Sequence, residues 1–121
     1  MLYIEDNPVN QVLMEGMLAH RPGITLLQAE RPEDGLAIAF EQPPDLVLLD
    51  VQLPGMDGFE VLRRLRAHDA TRATPVVAVS ANAMPDDIAA ARRAGFDDYL
   101  TKPLDLQRLL EQVDRRLGVA A

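Results

Sequence analysis

The sequence has no cysteine, few basic residues and no long apolar run. Without cysteine the chain cannot form a disulfide scaffold, a thiolate zinc site or a cysteine nucleophile. No apolar run approaches the roughly 20 residues of a membrane span, and no signal-peptide pattern precedes the first apolar segment, so we expect a cytoplasmic protein without membrane insertion. The 12 basic and 19 acidic residues give a net charge of −7, which argues against direct nucleic-acid binding.

What is present is the composition of one ordinary globular domain. The 121 residues are 48% hydrophobic and 26% charged. We therefore expect residues 1–121 to form a single domain that folds without a structural metal. The first apolar segment begins almost at residue 1 and only 118–121 follow the last helical pattern, which is typical of a domain taken from a longer protein.

Five apolar segments of strand character alternate with five helical patterns. The strands are predicted at 2–4, 24–29, 46–49, 75–79 and 99–100. Asn7-Pro8 has the pattern of a helix cap, and Gly95 is predicted to end the fourth helix. The apolar residues of the first and last helices are Val9, Val12, Leu13, Met17 and Leu18, and Leu106, Leu109, Leu110, Val113 and Leu117, the last helix spanning about 104–117. This alternation predicts a doubly wound α/β fold, a mostly parallel five-stranded sheet with helices on both faces.

Polar residues follow the predicted strands at one end. Glu5 and Asp6 follow the first strand, Asp50 the third, Ser80 the fourth and Lys102 the fifth. In an open α/β sheet, ligands bind beyond the carboxyl ends of the strands. Three carboxylates, one hydroxyl and one ammonium are therefore expected to converge at one edge of the sheet.

This group of side chains suits phosphoryl chemistry with a divalent cation. Each pair of carboxylates at about 5 Å repels by roughly 3 kcal/mol at an effective dielectric constant near 20. A hard ion with oxygen ligands, such as Mg²⁺, would offset that repulsion together with Lys102. Asp50, at the centre of the predicted sheet, is the candidate nucleophile, since an aspartate can carry a phosphoryl group. Taken singly, each residue is also compatible with an ordinary turn or surface position.

Four motifs, in this order and spacing, give the chain a family resemblance. They are Tyr3–Asn7, Leu48–Gly58, Val79–Ala81 and Tyr99–Pro103. The chain resembles the receiver domain of bacterial two-component response regulators from Leu2 to about Leu117. The resemblance implies a flavodoxin-like (βα)5 fold with strand order 2-1-3-4-5.

The resemblance also implies a phosphoryl acceptor and a magnesium site. Asp50 would accept a phosphoryl group from a phosphohistidine on a histidine kinase or histidine phosphotransfer protein. Glu5, Asp6, Asp50 and the backbone carbonyl of Gln52 would hold Mg²⁺. Apart from accepting and slowly losing this group, the chain is not expected to be an enzyme.

Further residues match positions that respond to phosphorylation in the family. Lys102 would pair with the phosphoryl group and Ser80 would hydrogen-bond to it. Tyr99 would turn inward as Ser80 moves, changing the surface formed by the last two helices and the fifth strand, where a downstream protein or fused domain would be affected. Pro103 would follow a cis peptide bond.

Three residues beside the acceptor match positions that govern access to it. Ala81 is small and would leave the phosphoryl group accessible, whereas Gln52 and Asn82 would tune its lifetime. The serine at 80 and the Glu-Asp pair at 5 and 6 depart from the commonest receiver pattern. The stretches Tyr3–Asn7 and Ser80–Met84 are similar to receivers of hybrid sensor histidine kinases.

Three other functions remain possible from the sequence. A phosphatase of the haloacid-dehalogenase type needs a carboxylate two residues after its nucleophile, where this chain has Gln52. A mononucleotide-binding module needs a glycine-rich first turn, whereas the turn here is Glu5–Pro8. A degenerate receiver could serve as a protein-interaction module, although all the predicted site residues are present.

Overall fold

The computed structural model describes residues 1–52, 56–82 and 84–118. The strands are β1 (Leu2–Ile4), β2 (Leu27–Ala29), β3 (Val47–Asp50), β4 (Val76–Ser80) and β5 (Asp98–Thr101). The helices are α1 (Pro8–Leu18), α2 (Pro32–Glu41), α3 (Gly58–Ala67), α4 (Pro85–Ala94) and α5 (Leu106–Leu117).

The five strands form one parallel sheet in the order β2-β1-β3-β4-β5. One face packs against α2, α3 and α4 through a core that includes Ile4, Leu49 and Leu62. The other face packs against α1 and α5, with Tyr3 and Val113 in its core. The predicted flavodoxin-like fold is confirmed. Within the described part of the chain, no helix is both long and apolar enough to cross a membrane.

The predicted helix signals at Asn7 and Gly95 are confirmed. The Asn7 side chain accepts a hydrogen bond from the Val9 amide at 2.9 Å, which satisfies a free donor of the first turn of α1. Gly95 ends α4 with φ of 112°, a left-handed conformation that glycine adopts without strain.

Two predicted boundaries are wrong by more than one residue, whereas β3, β4 and β5 differ from their predicted bounds by one residue. Strand β2 covers only Leu27–Ala29 and not 24–29, because the amide of Ile24 bonds back to the carbonyl of Arg21 in a turn. Helix α5 begins at Leu106 and not near 104, since Asp105 caps it by accepting a hydrogen bond from the Arg108 amide at 3.0 Å.

The apolar positions of α1 do not all face the core. Met14 and Leu18 are buried, whereas Val9, Val12 and Leu13 are more than half exposed. Of the apolar residues found by helical spacing, Leu18 and Met17 contact the core and the other three do not, because α1 carries apolar residues on more than one side. The face towards the sheet is the one that includes Met14.

Candidate functional site

The three predicted carboxylates lie together at the carboxyl end of the sheet. β1 and β3 are neighbours, with Ile4 level with Leu49, so Glu5 and Asp50 come level one residue further on. Oxygen atoms of Glu5, Asp6 and Asp50 lie within 4.8 Å of one another. Glu5 and Asp50 are buried, whereas Asp6 is exposed. The parallel register therefore produces the acidic cluster that the sequence predicts.

Lys102 lies between the two buried carboxylates. Its Nζ is 2.7 Å from Asp50 Oδ2 and 3.0 Å from Glu5 Oε2. The backbone holds the lysine in place, since the Lys102 amide donates to the Ser80 carbonyl at 2.8 Å. The Lys102–Pro103 peptide is cis, as the family resemblance implies. One ammonium thus faces two buried acids and leaves the cluster with an excess of negative charge.

The two buried carboxyls differ in their pKa values. Burial raises the pKa of Glu5, and the neighbouring Asp50 raises it further. Burial also opposes ionisation of Asp50, but hydrogen bonding with Glu5, Lys102 and the Gln52 amide holds the pKa of Asp50 below its usual value. Despite its partial burial, Lys102 has a raised pKa because both acids stabilise the ammonium. The Lys102 ammonium and the Gln52 amide, which both donate to the Asp50 carboxylate, thus favour its charged form.

Two residues of α1 hold Glu5 and were not predicted from the sequence. Asn10 Nδ2 donates to Glu5 Oε1 at 2.6 Å, and Gln11 Nε2 donates to the Glu5 backbone carbonyl at 2.7 Å. Both lie in the first turns of the helix that follows the acidic pair. The one sequence feature that could have predicted these contacts is that both amides closely follow a carboxylate at a strand end. Side-chain amides are common at the start of a helix, however, and most do not contact a carboxylate.

The loop after β3 fixes the Asp50 carboxylate. The Gln52 amide donates to Asp50 Oδ1 at 2.9 Å, and the Val51 amide donates to the Val79 carbonyl at 3.1 Å. Gln52 itself is exposed at the mouth of the site. Of the motif that follows Asp50, residues 53–55 lie outside the described residues.

Ser80, Asn82 and Tyr99 are joined by hydrogen bonds. The Asn82 amide donates to Ser80 Oγ at 3.1 Å, and the Tyr99 hydroxyl donates to the Asn82 carbonyl at 2.6 Å. Ser80 is fully buried, Tyr99 is half-buried and Ala81 is exposed. A cleft of about 170 Å³ is lined in part by Gln52, Ser80 and Tyr99. One peptide segment thus connects the two residues predicted to respond to phosphorylation.

The donor atoms suit a hard divalent cation. The cluster offers carboxylate oxygens, two of them from buried residues whose mutual repulsion a cation relieves. Oxygen ligands and a partly solvent-exposed rim at Asp6 are what Mg²⁺ prefers, since it retains several waters. Glu5, Asp6 and Asp50 therefore fit the predicted magnesium site.

Comparison with known proteins identifies a single family. The sequence profile described as "Response regulator receiver domain" matches residues 1–114. Protein PilH of Pseudomonas aeruginosa is 36% identical over 117 residues, which cover 97% of this chain and 96% of PilH. The solved receiver domain of a P. aeruginosa sensor histidine kinase, with magnesium coordinated in its active-site cleft, is 35% identical, covers 98% of this chain and 96% of its own, and has a TM-score of 0.86. The receiver domain of Ssk1 from Saccharomyces cerevisiae, solved with the histidine phosphotransfer protein Ypd1, is 26% identical, covers 95% of this chain and 86% of its own, and has a TM-score of 0.84.

Proposed function

The chain belongs to the response regulator receiver domain family of two-component systems, and on that premise we propose that Asp50 accepts a phosphoryl group from a phosphohistidine donor. The donor is a cytoplasmic histidine kinase or histidine phosphotransfer protein. An Asp50 oxygen forms a bond to phosphorus as the N–P bond of the donor breaks, and the electron pair of that bond leaves with the imidazole, which takes a proton. The acyl phosphate on Asp50 is the signal.

Four groups of this chain would hold the metal ion. These are the carboxylates of Glu5, Asp6 and Asp50 and the backbone carbonyl of Gln52. When bound, Mg²⁺ supplies positive charge that stabilises the oxygens of the transferring phosphoryl group. Lys102 would supply a further positive charge to the same oxygens, because its Nζ contacts Asp50 Oδ2 at 2.7 Å.

Ser80 and Tyr99 would carry the signal away from Asp50. A Ser80 hydroxyl that turns to the phosphoryl group gives up its hydrogen bond with the Asn82 amide, and the Asn82 carbonyl is the acceptor of the Tyr99 hydroxyl. Phosphorylation thus favours a second arrangement of Tyr99 and of the surface formed by α4, β5 and α5. A downstream protein or a fused domain reads that surface.

The acyl phosphate on Asp50 would be lost by slow hydrolysis. Ala81 leaves the group accessible, while Gln52 and Asn82, both exposed at the mouth of the cleft, crowd or orient the attacking water. Phosphoryl transfer from the donor and this hydrolysis are the two reactions that we propose for the chain.

The observation that carries this function is the contact of one ammonium with two buried carboxylates at the ends of β1 and β3. A fold needs no such group for stability, since a buried ion pair contributes little net stabilisation. A phosphoryl-acceptor site explains all three charged groups, since the carboxylates would bind a cation and the ammonium would bind the phosphoryl group.

The test is incubation of the protein with acetyl phosphate and Mg²⁺, followed by intact-mass measurement. We expect the mass of one phosphoryl group to be added, and we expect EDTA or Asp50→Asn to abolish the gain. Asp57→Asn is the matched control, because Asp57 is exposed and asparagine can keep its hydrogen bond with the Glu60 amide as the cap of α3. Folded protein that gains no mass contradicts the proposal and favours a receiver that only binds other proteins.

A further inference from the structure

We infer that Gly58 is a positioning residue for the metal site, because it fixes the segment between Asp50 and Gln52. This inference rests on the proposed function of the cluster as a magnesium-dependent phosphoryl acceptor. Gly58 does not touch the reacting atoms and acts only through Val51, the residue between Asp50 and Gln52 in the chain.

Gly58 approaches Val51 more closely than any residue with a side chain could. A Cβ at position 58 would lie 2.5 Å from the Val51 Cα and 3.0 Å from the Val51 Cβ and Cγ1. The Gly58 amide also donates to the Val51 carbonyl at 3.3 Å. The nearest atom is a backbone atom, so rotation of a side chain cannot relieve the overlap.

Helix α3 cannot easily move away to make room. Its residues Val61, Leu62 and Leu65 are buried in the core against the sheet. Displacing the helix would open space around all three side chains, and such cavities are unfavourable because the surrounding core relaxes only partially. The loop that contains Val51 is therefore the part that shifts when position 58 carries a side chain.

A shift at Val51 disturbs both of its neighbours in the site. The Gln52 amide holds Asp50 Oδ1 at 2.9 Å, and the Gln52 carbonyl is the proposed backbone ligand. Moving Val51 changes the direction of both groups at once. Loss of such supporting contacts typically weakens a metal site by roughly 10–100-fold.

Two other glycines provide matched controls. In Gly35→Ala the added Cβ meets only side-chain atoms of Ile4, the nearest being Cδ1 at 2.4 Å, so the Ile4 side chain can shift without the backbone next to Glu5. It therefore tests loss of stability from overpacking away from the loop. In Gly16→Ala the added Cβ meets nothing within 4 Å, so this variant tests the substitution alone.

The experiment is calorimetric titration of Mg²⁺ into the wild type and the three alanine variants, with folding checked by circular dichroism. We expect Gly58→Ala to raise the dissociation constant for Mg²⁺ by about tenfold or more, whereas Gly35→Ala and Gly16→Ala stay within about twofold of the wild type. If Gly58→Ala is unfolded in buffer, all four proteins are titrated in trimethylamine N-oxide, which favours the folded state.

Three results would overturn the inference. They are unchanged Mg²⁺ affinity in folded Gly58→Ala, an equal loss in Gly35→Ala, and a Gly58→Ala protein that stays unfolded in the osmolyte. The last would assign Gly58 to the fold and not to the site. Failure of the wild type to gain a phosphoryl group while it still binds Mg²⁺ would refute the proposed function and leave the role of Gly58 standing.

Discussion

Replacing Lys102 by methionine removes the ammonium that lies between Glu5 and Asp50 and keeps a side chain of similar length. Without a divalent cation, the variant leaves two buried carboxyl groups facing each other. We expect the free energy of unfolding to fall by about 3 kcal/mol. This is the low end of the range for removing one partner of a buried ion pair, because the Lys102 side chain is 22% exposed.

The same substitution strengthens the binding of Mg²⁺. The Lys102 ammonium repels a bound Mg²⁺ ion. For two unit charges about 4 Å apart in water the repulsion is about 1 kcal/mol, so for an ion of charge +2 it is about 2 kcal/mol. Removing the lysine charge therefore tightens Mg²⁺ binding by about 30-fold. Because an ion that binds the folded state stabilises it, saturating Mg²⁺ narrows the stability difference from about 3 to about 1 kcal/mol.

The assay is urea unfolding of wild type and Lys102→Met in EDTA and in saturating Mg²⁺, with calorimetric titration of the ion. Lys102→Arg keeps the charge and serves as the control, with Mg²⁺ affinity close to that of the wild type. A Lys102→Met protein whose stability deficit is the same in EDTA and in Mg²⁺, or whose Mg²⁺ affinity falls, refutes the competition between the lysine and the ion.

Three further substitutions test other parts of the structure. Asn10→Ala removes the 2.6 Å hydrogen bond to the buried Glu5 carboxyl and should lower the free energy of unfolding by about 2 kcal/mol in EDTA. Burial opposes ionisation of Asp98, but the Tyr99 amide, the Gln112 side chain and nearby arginines hold its pKa below its usual value. Asp98→Asn should therefore lower the free energy of unfolding by about 1 kcal/mol at neutral pH. The difference should vanish well below about pH 4, where Asp98 is protonated in the folded protein as well, and urea unfolding across pH measures it. Gly16→Ala should raise the melting temperature, since alanine favours a helix interior by about 1 kcal/mol and nothing lies within 4 Å of the new Cβ.

The acidic cluster could be predicted because it depends on topology alone. Alternation of strands and helices implies a parallel sheet, and parallel strands bring their carboxyl ends to one edge. Glu5, Asp50 and Lys102 each stand at such an end, so their proximity follows without knowledge of any side-chain conformation. The structure places all three where this reasoning puts them.

Contacts that depend on the direction of a side chain could not be predicted in this way. Asn10 and Gln11 hold Glu5 only because α1 turns these two residues back towards β1. The exposed position of Val9 in α1 has the same origin, since that helix has apolar residues on two sides and its orientation on the sheet decides which side is buried. Gly58 was visible only as part of a motif, and its approach to Val51 appears once the loop is folded.

The most direct measurement is chemical mapping of the phosphorylated residue. Protein treated with acetyl phosphate and Mg²⁺ is reduced with borohydride, which converts an aspartyl phosphate to homoserine, and is then digested and analysed by mass spectrometry. We predict conversion at position 50 in the Mg²⁺-treated protein and none after treatment in EDTA. Conversion at a different aspartate, or equal conversion with and without Mg²⁺, would contradict the assignment of Asp50 as the magnesium-dependent acceptor.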